Sequence, residues 1–127
     1  MKFLSVEDVL GVHAAQLVDF GGGTGIRSAE LLESAVAQPE ASFGGQYLHA
    51  DMFEMAAAYL FHIVQNHPFV DGNKRTGLLS ALVFLDLNGA TIGFPDERLY
   101  ELTIAVANGR LGKDRAAQIL RELAGRS

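Results

Sequence analysis

The stretch NHPFVDGNKRTGLL, residues 66–79, joins two predicted helices and places two cations where the second helix begins. Pro68 disfavours helical backbone at His67, so the histidine is predicted to lie in the connector between the helices. A helix N-terminus carries about +0.5 charge, which repels Lys74 and Arg75 at a cost of about 0.3–1 kcal/mol each. The free N–H groups there attract anions, and a bound phosphate reverses this penalty. The stretch therefore predicts a helix that begins at an anion-binding site.

Helical periodicity continues on both sides of this stretch and predicts about six helices. The helix from about Gly72 to Leu87 is apolar nearly all round, which is typical of the buried centre of a bundle. Capping signals and helix breakers mark the other helices. Five are predicted: after Ser5 with a capping box to Asp8, from Ser28 to Pro39, after Asp51 with a box to Glu54, from Pro95 to about Asn108, and over 113–124.

Residues 40–50 interrupt the helical pattern. A glycine pair stands between Phe43 and Tyr47, which predicts a loop or a small hairpin. With this exception the chain is predicted to be all-α: a compact single-domain bundle over residues 1–127, arranged around one buried central helix.

The composition restricts the classes of function. The net charge of -5 gives no support for binding nucleic acid or an anionic membrane. The chain has no cysteine, which excludes disulfides and thiolate metal sites and suits a reducing cytosol. No uncharged apolar run is long enough to span a membrane, and the first residues lack the pattern of a signal peptide. We therefore expect a cytoplasmic protein that binds neither nucleic acid nor membrane.

The polar residues of the opening stretch form a set suited to transfer from a nucleotide. Histidine is the most frequent general base in proteins, so His67 is the candidate that deprotonates an attacking hydroxyl. Asp71 offers an oxygen ligand for a Mg²⁺ ion that bridges phosphates, although it is also a possible N-cap of the following helix. The first-turn residues are predicted to hold the phosphates. These residues are Gly72, Asn73, Lys74 and Arg75.

The same residues resemble a known signature. Residues 67–75 match H-x-F-x-[DE]-[AG]-N-x-R of the Fic/Doc family, and residues 25–46 and 84–89 agree with it further. The resemblance implies the Fic fold and transfer from ATP, with Mg²⁺, to a hydroxyl of a target protein. Most Fic proteins carry Gly where this chain has Lys74, and lysine is similar to the death-on-curing (Doc) branch. The chain also departs from two patterns: Leu78 replaces a second arginine of AMP-transferring members, and Ser28 replaces an aspartate frequent in Doc-like sequences.

For this branch the resemblance implies a toxin that transfers the γ-phosphate of ATP to a translation factor such as elongation factor Tu and arrests growth. The segment with Phe43 and Tyr47 corresponds to the flap that holds the target. No glutamate is followed by Gly or Asn, so the family's internal inhibitory motif is absent from the sequence and an antitoxin protein is expected to act in trans. AMP transfer to a protein hydroxyl, or a non-catalytic helical module that binds a partner, remain alternative functions.

The remaining candidate residues are interpreted as structural. His13, His49 and His62 show no spacing of a metal site. The glycine-rich segment GGGTGIRS, residues 21–28, lacks the spacing of a P-loop and is predicted to be a turn.

Overall fold

A computed structural model describes residues 1–125 and contains six α-helices and one hairpin. The last two residues of the predicted 1–127 domain lie outside the described range. A short 3-10 helix covers Gln38–Glu40, and the hairpin pairs β1 (Ser42–Phe43) with β2 (Gln46–Tyr47) in antiparallel register. The helices are α1 (Val6–Phe20), α2 (Ala29–Ala37), α3 (Met52–Asn66), α4 (Asn73–Leu87), α5 (Glu97–Ala107) and α6 (Lys113–Ala124). The predicted all-α class and the predicted hairpin are confirmed.

Local capping explains why several helices begin where they do. Ser5 accepts a hydrogen bond from the N–H of Asp8 at 3.1 Å, and the Asp8 carboxylate accepts one from the N–H of Ser5 at 2.8 Å. The Asp51 carboxylate accepts from the N–H groups of Phe53 and Glu54 at 2.9 and 3.0 Å. These bonds satisfy N–H groups that have no partner inside the helix, so α1 and α3 begin at the predicted positions.

The helix at the centre of the bundle is α3, and the prediction that α4 takes this place is wrong. α3 packs against α2, α4, α5, α6 and the 3-10 helix. Three consecutive alanines, at positions 56–58, are fully buried and let these neighbours approach closely. α4 packs against α1, α3 and α5 and leaves Val83 39% and Leu87 48% exposed. Its apolar composition therefore overstates its burial.

The predicted start of α5 at Pro95 is also wrong. The helix begins at Glu97, and Asp96 is its N-cap. The Asp96 carboxylate accepts a hydrogen bond from the N–H of Arg98 at 2.8 Å. Proline at the first position only removes an N–H that would lack a partner, whereas aspartate supplies an acceptor for one that exists.

The close crossing of α3 and α4 brings the end of one helix beside the start of the other. Gly77 makes this approach possible, since a Cβ added there would lie 2.9 Å from Cγ2 of Val64 and 3.2 Å from the main-chain oxygen of Leu60. The connector 67–72 is thereby held at one end of the bundle. Among the described helices, none is long and apolar enough to cross a membrane.

Candidate active site

The connector between α3 and α4 begins with His67, which ends α3 in left-handed backbone geometry (φ 50°, ψ 54°). Its N–H still donates to the main-chain oxygen of Ile63 at 3.2 Å. Its side chain is exposed, while Phe69 is completely buried and forms a bridge with Ile26. The prediction that His67 lies in the connector is confirmed, and the buried Phe69 anchors that connector in the core.

The side chain of Asn73 closes the connector into a rigid loop. Its carboxamide oxygen accepts from the N–H of Phe69 at 2.9 Å, and its amide donates to the main-chain oxygen of Phe69 at 3.0 Å. Asn73 is only 4% exposed. The carboxamide therefore holds the loop, and a contact between this side chain and a phosphate stays a prediction. The N–H of Asn73 remains in the first turn of α4.

Arg27 holds the other end of the connector, and sequence reasoning did not select it. Its guanidinium donates to the main-chain oxygen of His67 at 2.6 Å and to that of Asn66 at 2.8 Å. These carbonyls end α3 and lack partners inside the helix, so Arg27 fixes the backbone that carries the histidine. The available signal was the triplet GIR, residues 25–27, which contributes to the family resemblance.

Asp71 is an exposed carboxylate and does not cap α4. The N-cap is Gly72, and no side chain accepts from the first turn. Instead Oδ1 of Asp71 accepts from the N–H of Gly72 at 2.8 Å, and Oδ2 accepts from the N–H of Gly23 at 3.2 Å. These two bonds, followed by the charges of Arg75 and Lys74, lower the pKa of Asp71. The carboxylate is thus kept ionised, and the glycine-rich turn is part of the site.

Gly72 is required for two independent reasons. Its φ of 80° is unfavourable for other residues, and a Cβ there would lie 2.8 Å from Cδ of Gln16. Because its N–H already donates to Asp71, the N–H groups left for an anion are those of Asn73, Lys74 and Arg75.

The two cations of the first turn lie at the surface. Lys74 and Arg75 are both exposed, and α4 has no acidic residue in its first turn. The guanidinium carbon of Arg75 lies 4.5 Å from the centre of the Phe20 ring. This contact orients the arginine by a cation–π interaction without neutralising its charge.

The polar residues of the connector and of the first turn of α4 line one cleft of about 500 Å³. Its first wall carries every predicted residue of the opening stretch: His67, Asp71, Gly72, Asn73, Lys74 and Arg75. The opposite wall comes from α5, which sequence reasoning did not assign to the site. The further lining residues are Val64, Leu78, Tyr100, Thr103, Ile104, Ala107 and Asn108. Nothing in the sequence of α5 distinguishes this wall from an ordinary amphipathic helix.

The predicted flap residues lie outside this cleft, on the hairpin. Phe43 is 83% exposed and Tyr47 is 52% exposed. The Tyr47 ring contacts the Phe3 ring edge-on, with centroids 5.4 Å apart. The hairpin thus presents an exposed aromatic side chain at its edge, and a role in holding a target stays a prediction.

Two of the other histidines, His13 and His62, contact protein groups. Nε2 of His13 lies 2.8 Å from the main-chain oxygen of Asp71, and Nε2 of His62 accepts from Nζ of Lys113 at 3.0 Å. Burial and the Lys113 charge lower the pKa of His62 to about 4. Within residues 1–125, no group of three or more His, Cys, Asp or Glu side chains is placed to hold a metal ion. Asp71 is the carboxylate that lines the cleft.

The residues 3–85 match the model of the Fic/DOC family, and the chain belongs to that family. It is 34% identical over 125 residues to a relative named Protein kinase doc, from Escherichia phage P1, with 98% of both chains covered. It is 37% identical over 126 residues to one named Toxin Doc, from Mycolicibacterium smegmatis, and the match covers 98% of this chain and 92% of that relative.

Proposed function

We propose that the chain is a Doc-type toxin that transfers the γ-phosphate of ATP to a hydroxyl of a target protein. The observation that carries the proposal is the shared cleft, where His67, the Asp71 carboxylate and the cationic first turn of α4 meet. The names of the two relatives, a protein kinase and a toxin, support the same assignment. Membership in the Fic/DOC family supports transfer from a nucleotide.

His67 is proposed as the general base. The target hydroxyl gives its proton to the imidazole while its oxygen bonds to the γ-phosphorus. The bond between that phosphorus and the β–γ bridging oxygen breaks, and ADP leaves. Arg27 and the left-handed backbone at His67 hold the ring at the edge of the cleft.

The substrate in this proposal is the magnesium complex of ATP. An ionised carboxylate with one partner on each oxygen suits an ion that keeps most of its waters, so Asp71 fits the role of its protein ligand. The N–H groups of residues 73–75, with the side chains of Lys74 and Arg75, face the negative charge of the phosphates. This supplies the electrostatic stabilisation on which phosphoryl transfer depends.

Lys74 and Leu78 favour phosphoryl transfer over AMP transfer. Both line the cleft, one turn apart on α4. A lysine at position 74 fills space next to the N–H groups, and this disfavours a nucleotide lying deep against the backbone. Leucine at position 78 supplies no charge where AMP-transferring relatives carry an arginine. We therefore place the γ-phosphate, rather than the α-phosphate, nearest His67.

The target and the inhibitor are proposed from the same assignment. The hairpin with Phe43 and Tyr47 is the proposed docking flap, because its exposed strand edge can pair with an extended segment of a target. The target class is a translation factor such as elongation factor Tu, and modification arrests growth. An antitoxin is proposed to act in trans, by placing an amphipathic helix in an apolar groove. We place both the modification of the target and the binding of the antitoxin in the cytoplasm.

The decisive experiment compares two labelled substrates. The purified chain is incubated with magnesium and a cell extract, and with ATP that carries the label in either the γ- or the α-phosphate. We expect a protein to gain the γ-label only, and His67→Ala to abolish the gain. Transfer of the α-label would replace the proposal by AMP transfer, and no transfer of either label would favour a non-catalytic binding module.

A second experiment addresses control. The purified chain is expected to be active without a partner, and co-expression with a small protein encoded beside it is expected to restore growth. An inert full-length chain that becomes active after truncation would show that inhibition lies within the chain instead.

A further inference from the structure

One face of α1 lies against the connector that carries the site. His13, Gln16 and Phe20 follow one another at spacings of three and four residues, which places them on the same side of the helix. Nε2 of His13 lies 2.8 Å from the main-chain oxygen of Asp71, and the carboxamide of Gln16 packs against Gly72. The Phe20 ring lies beneath the guanidinium of Arg75. A helix outside the signature thus contacts three positions within it.

The contact made by His13 has a defined direction. The ring is 6% exposed and stacks on the Phe69 ring, with centroids 3.8 Å apart and planes at 6°. A main-chain oxygen can only accept a hydrogen bond, so Nε2 must carry the proton and donate it to Asp71. The stacking restricts rotation of the ring, and the donated bond then restricts the Asp71 peptide.

The Asp71–Gly72 peptide also carries one of the two N–H groups that hold the carboxylate. The two oxygens of Asp71 accept from Gly23, on the loop after α1, and from Gly72, at the start of α4. With its oxygen directed at His13, this peptide presents the N–H of Gly72 to Oδ1, and the carboxylate stays exposed at the cleft. Rotation of this peptide would turn the N–H of Gly72 away from Oδ1 and leave the carboxylate held only by the N–H of Gly23.

We propose that His13 is a positioning residue, which holds the Asp71 main chain through Nε2–H so that the carboxylate faces the cleft. The role in catalysis rests on the proposed function, since it assumes that Asp71 binds the metal of the substrate. The role in positioning Asp71 does not, because it concerns hydrogen bonds within the free protein. The competing explanation is a core histidine that matters only through its packing on Phe69.

Three substitutions separate the donor from the ring. His13→Phe keeps a ring for stacking and loses the donor. His13→Gln keeps an N–H donor at similar reach and loses the ring. His13→Leu loses both and is the matched control for the glutamine variant. A positioning role predicts that the phenylalanine and leucine variants behave alike, whereas a packing role pairs the glutamine variant with the leucine variant.

The first readout needs no nucleotide. Amide hydrogen exchange of Gly23 and Gly72, measured by NMR on the free protein, reports the two bonds to the Asp71 carboxylate. We expect exchange about tenfold faster in the phenylalanine and leucine variants, the size expected for one lost hydrogen bond, and near the original rate in the glutamine variant. In the unsubstituted protein, ¹⁵N NMR at neutral pH should find the His13 proton on Nε2. A proton on Nδ1 alone would overturn the proposal without any variant.

The second readout is transfer. With magnesium and ATP, kcat/KM is expected to fall about 10–100-fold in the phenylalanine and leucine variants, with a higher half-saturating magnesium concentration and recovery in the glutamine variant. If the unsubstituted chain transfers nothing, the proposed function fails while hydrogen exchange still decides the role of His13. Unchanged exchange in all three variants, or losses that follow the ring rather than the donor, would overturn the positioning role.

Discussion

The N-termini of α3 and α4 are built in opposite ways within one chain. α3 begins at Asp51, whose carboxylate accepts from two first-turn N–H groups, and Glu54 adds a second negative charge. α4 begins at Gly72, which offers no side-chain acceptor, and its first turn carries Lys74 and Arg75. The first arrangement satisfies the N–H groups and complements the helix dipole, whereas the second leaves the N–H groups free and adds repulsion.

The difference separates an N-terminus that stabilises the fold from one that is available for binding. The other described helices follow the pattern of α3 in charge, because each has an acidic residue in its first turn. Only α4, among the helices in residues 1–125, has none. The cost at α4 is small, but it is repeated at two adjacent residues. Substitutions at the N-terminus of α3 should therefore change stability alone, whereas substitutions at the N-terminus of α4 should also change binding.

The largest expected effect is at the connector that precedes α4. His67→Ala should lower transfer by about 10²–10⁴-fold, because it removes the proposed base. The free energy of unfolding should change little, because the side chain is exposed and supports no core. The measurement pairs transfer of γ-labelled phosphate with urea unfolding. Full activity in a folded variant would exclude His67 as the base.

The next effect concerns which phosphate reacts. Lys74→Gly combined with Leu78→Arg should weaken phosphorylation and give some AMP transfer, because it opens space beside the N–H groups and adds a phosphate ligand. Products are distinguished by the mass that the target gains. The single variant Leu78→Arg is the control, since it adds the charge while Lys74 still fills the space. If the double variant gives the same ratio of phosphorylated to AMP-modified product as the unsubstituted chain, these positions do not select the reaction.

A smaller effect tests the two N-termini directly. Asp51→Ala should lower the free energy of unfolding by about 0.5–2 kcal/mol through loss of the cap, with activity per folded molecule unchanged. Lys74→Ala should raise it by about 0.3–1 kcal/mol and weaken ATP binding. Asp51→Asn separates the cap from the ion pair with Arg121 at 2.7 Å, since asparagine still accepts at the cap. A loss of stability in Lys74→Ala would contradict the comparison.

The last effect, of similar size, concerns a cation in the first turn of another helix. Lys113 begins α6, and its Nζ donates to Nε2 of His62, so this cation has a structural partner. Because burial, Lys113 and His49 lower the pKa of His62 to about 4, the folded protein disfavours protonation of the ring. The contribution of neutral His62 to stability is therefore fully present above the unfolded pKa of about 6.5, and it is lost as the pH falls toward 4.

The expected loss is about 1 kcal/mol, since solvent screens a half-buried ring. Urea unfolding at several pH values between 7 and 4 measures it, and His62→Gln should reduce the slope while keeping an acceptor for Lys113. An equal slope in the glutamine variant would mean that other groups carry the pH dependence.

The starts of α1 and α3 could be predicted because capping joins residues that are three positions apart. Ser5 and Asp51 each bond to N–H groups within the next three residues, so the signal lies in one short window. The identity of the central helix could not be predicted in this way. Two apolar helices compete for it, and the buried alanines of α3, rather than the larger apolar residues of α4, allow neighbours on every side.

The same distinction applies to the site. His67, Asp71, Lys74 and Arg75 lie within nine positions, and their spacing around a helix start is readable from the chain alone. Even there, the side chain of Asn73 proved to hold the loop, because only the folded connector brings its carboxamide to both main-chain groups of Phe69.

The supports of the site come from distant parts of the chain. Arg27 reaches across 40 positions to His67, and His13 reaches across 58 to Asp71. The α5 wall begins near Tyr100, which lies 25 positions after Arg75. Local sequence encodes the candidate reacting groups and the helix ends, since these depend on neighbours along the chain. Side chains that orient them become neighbours only when the helices pack, so their partners are set by the fold.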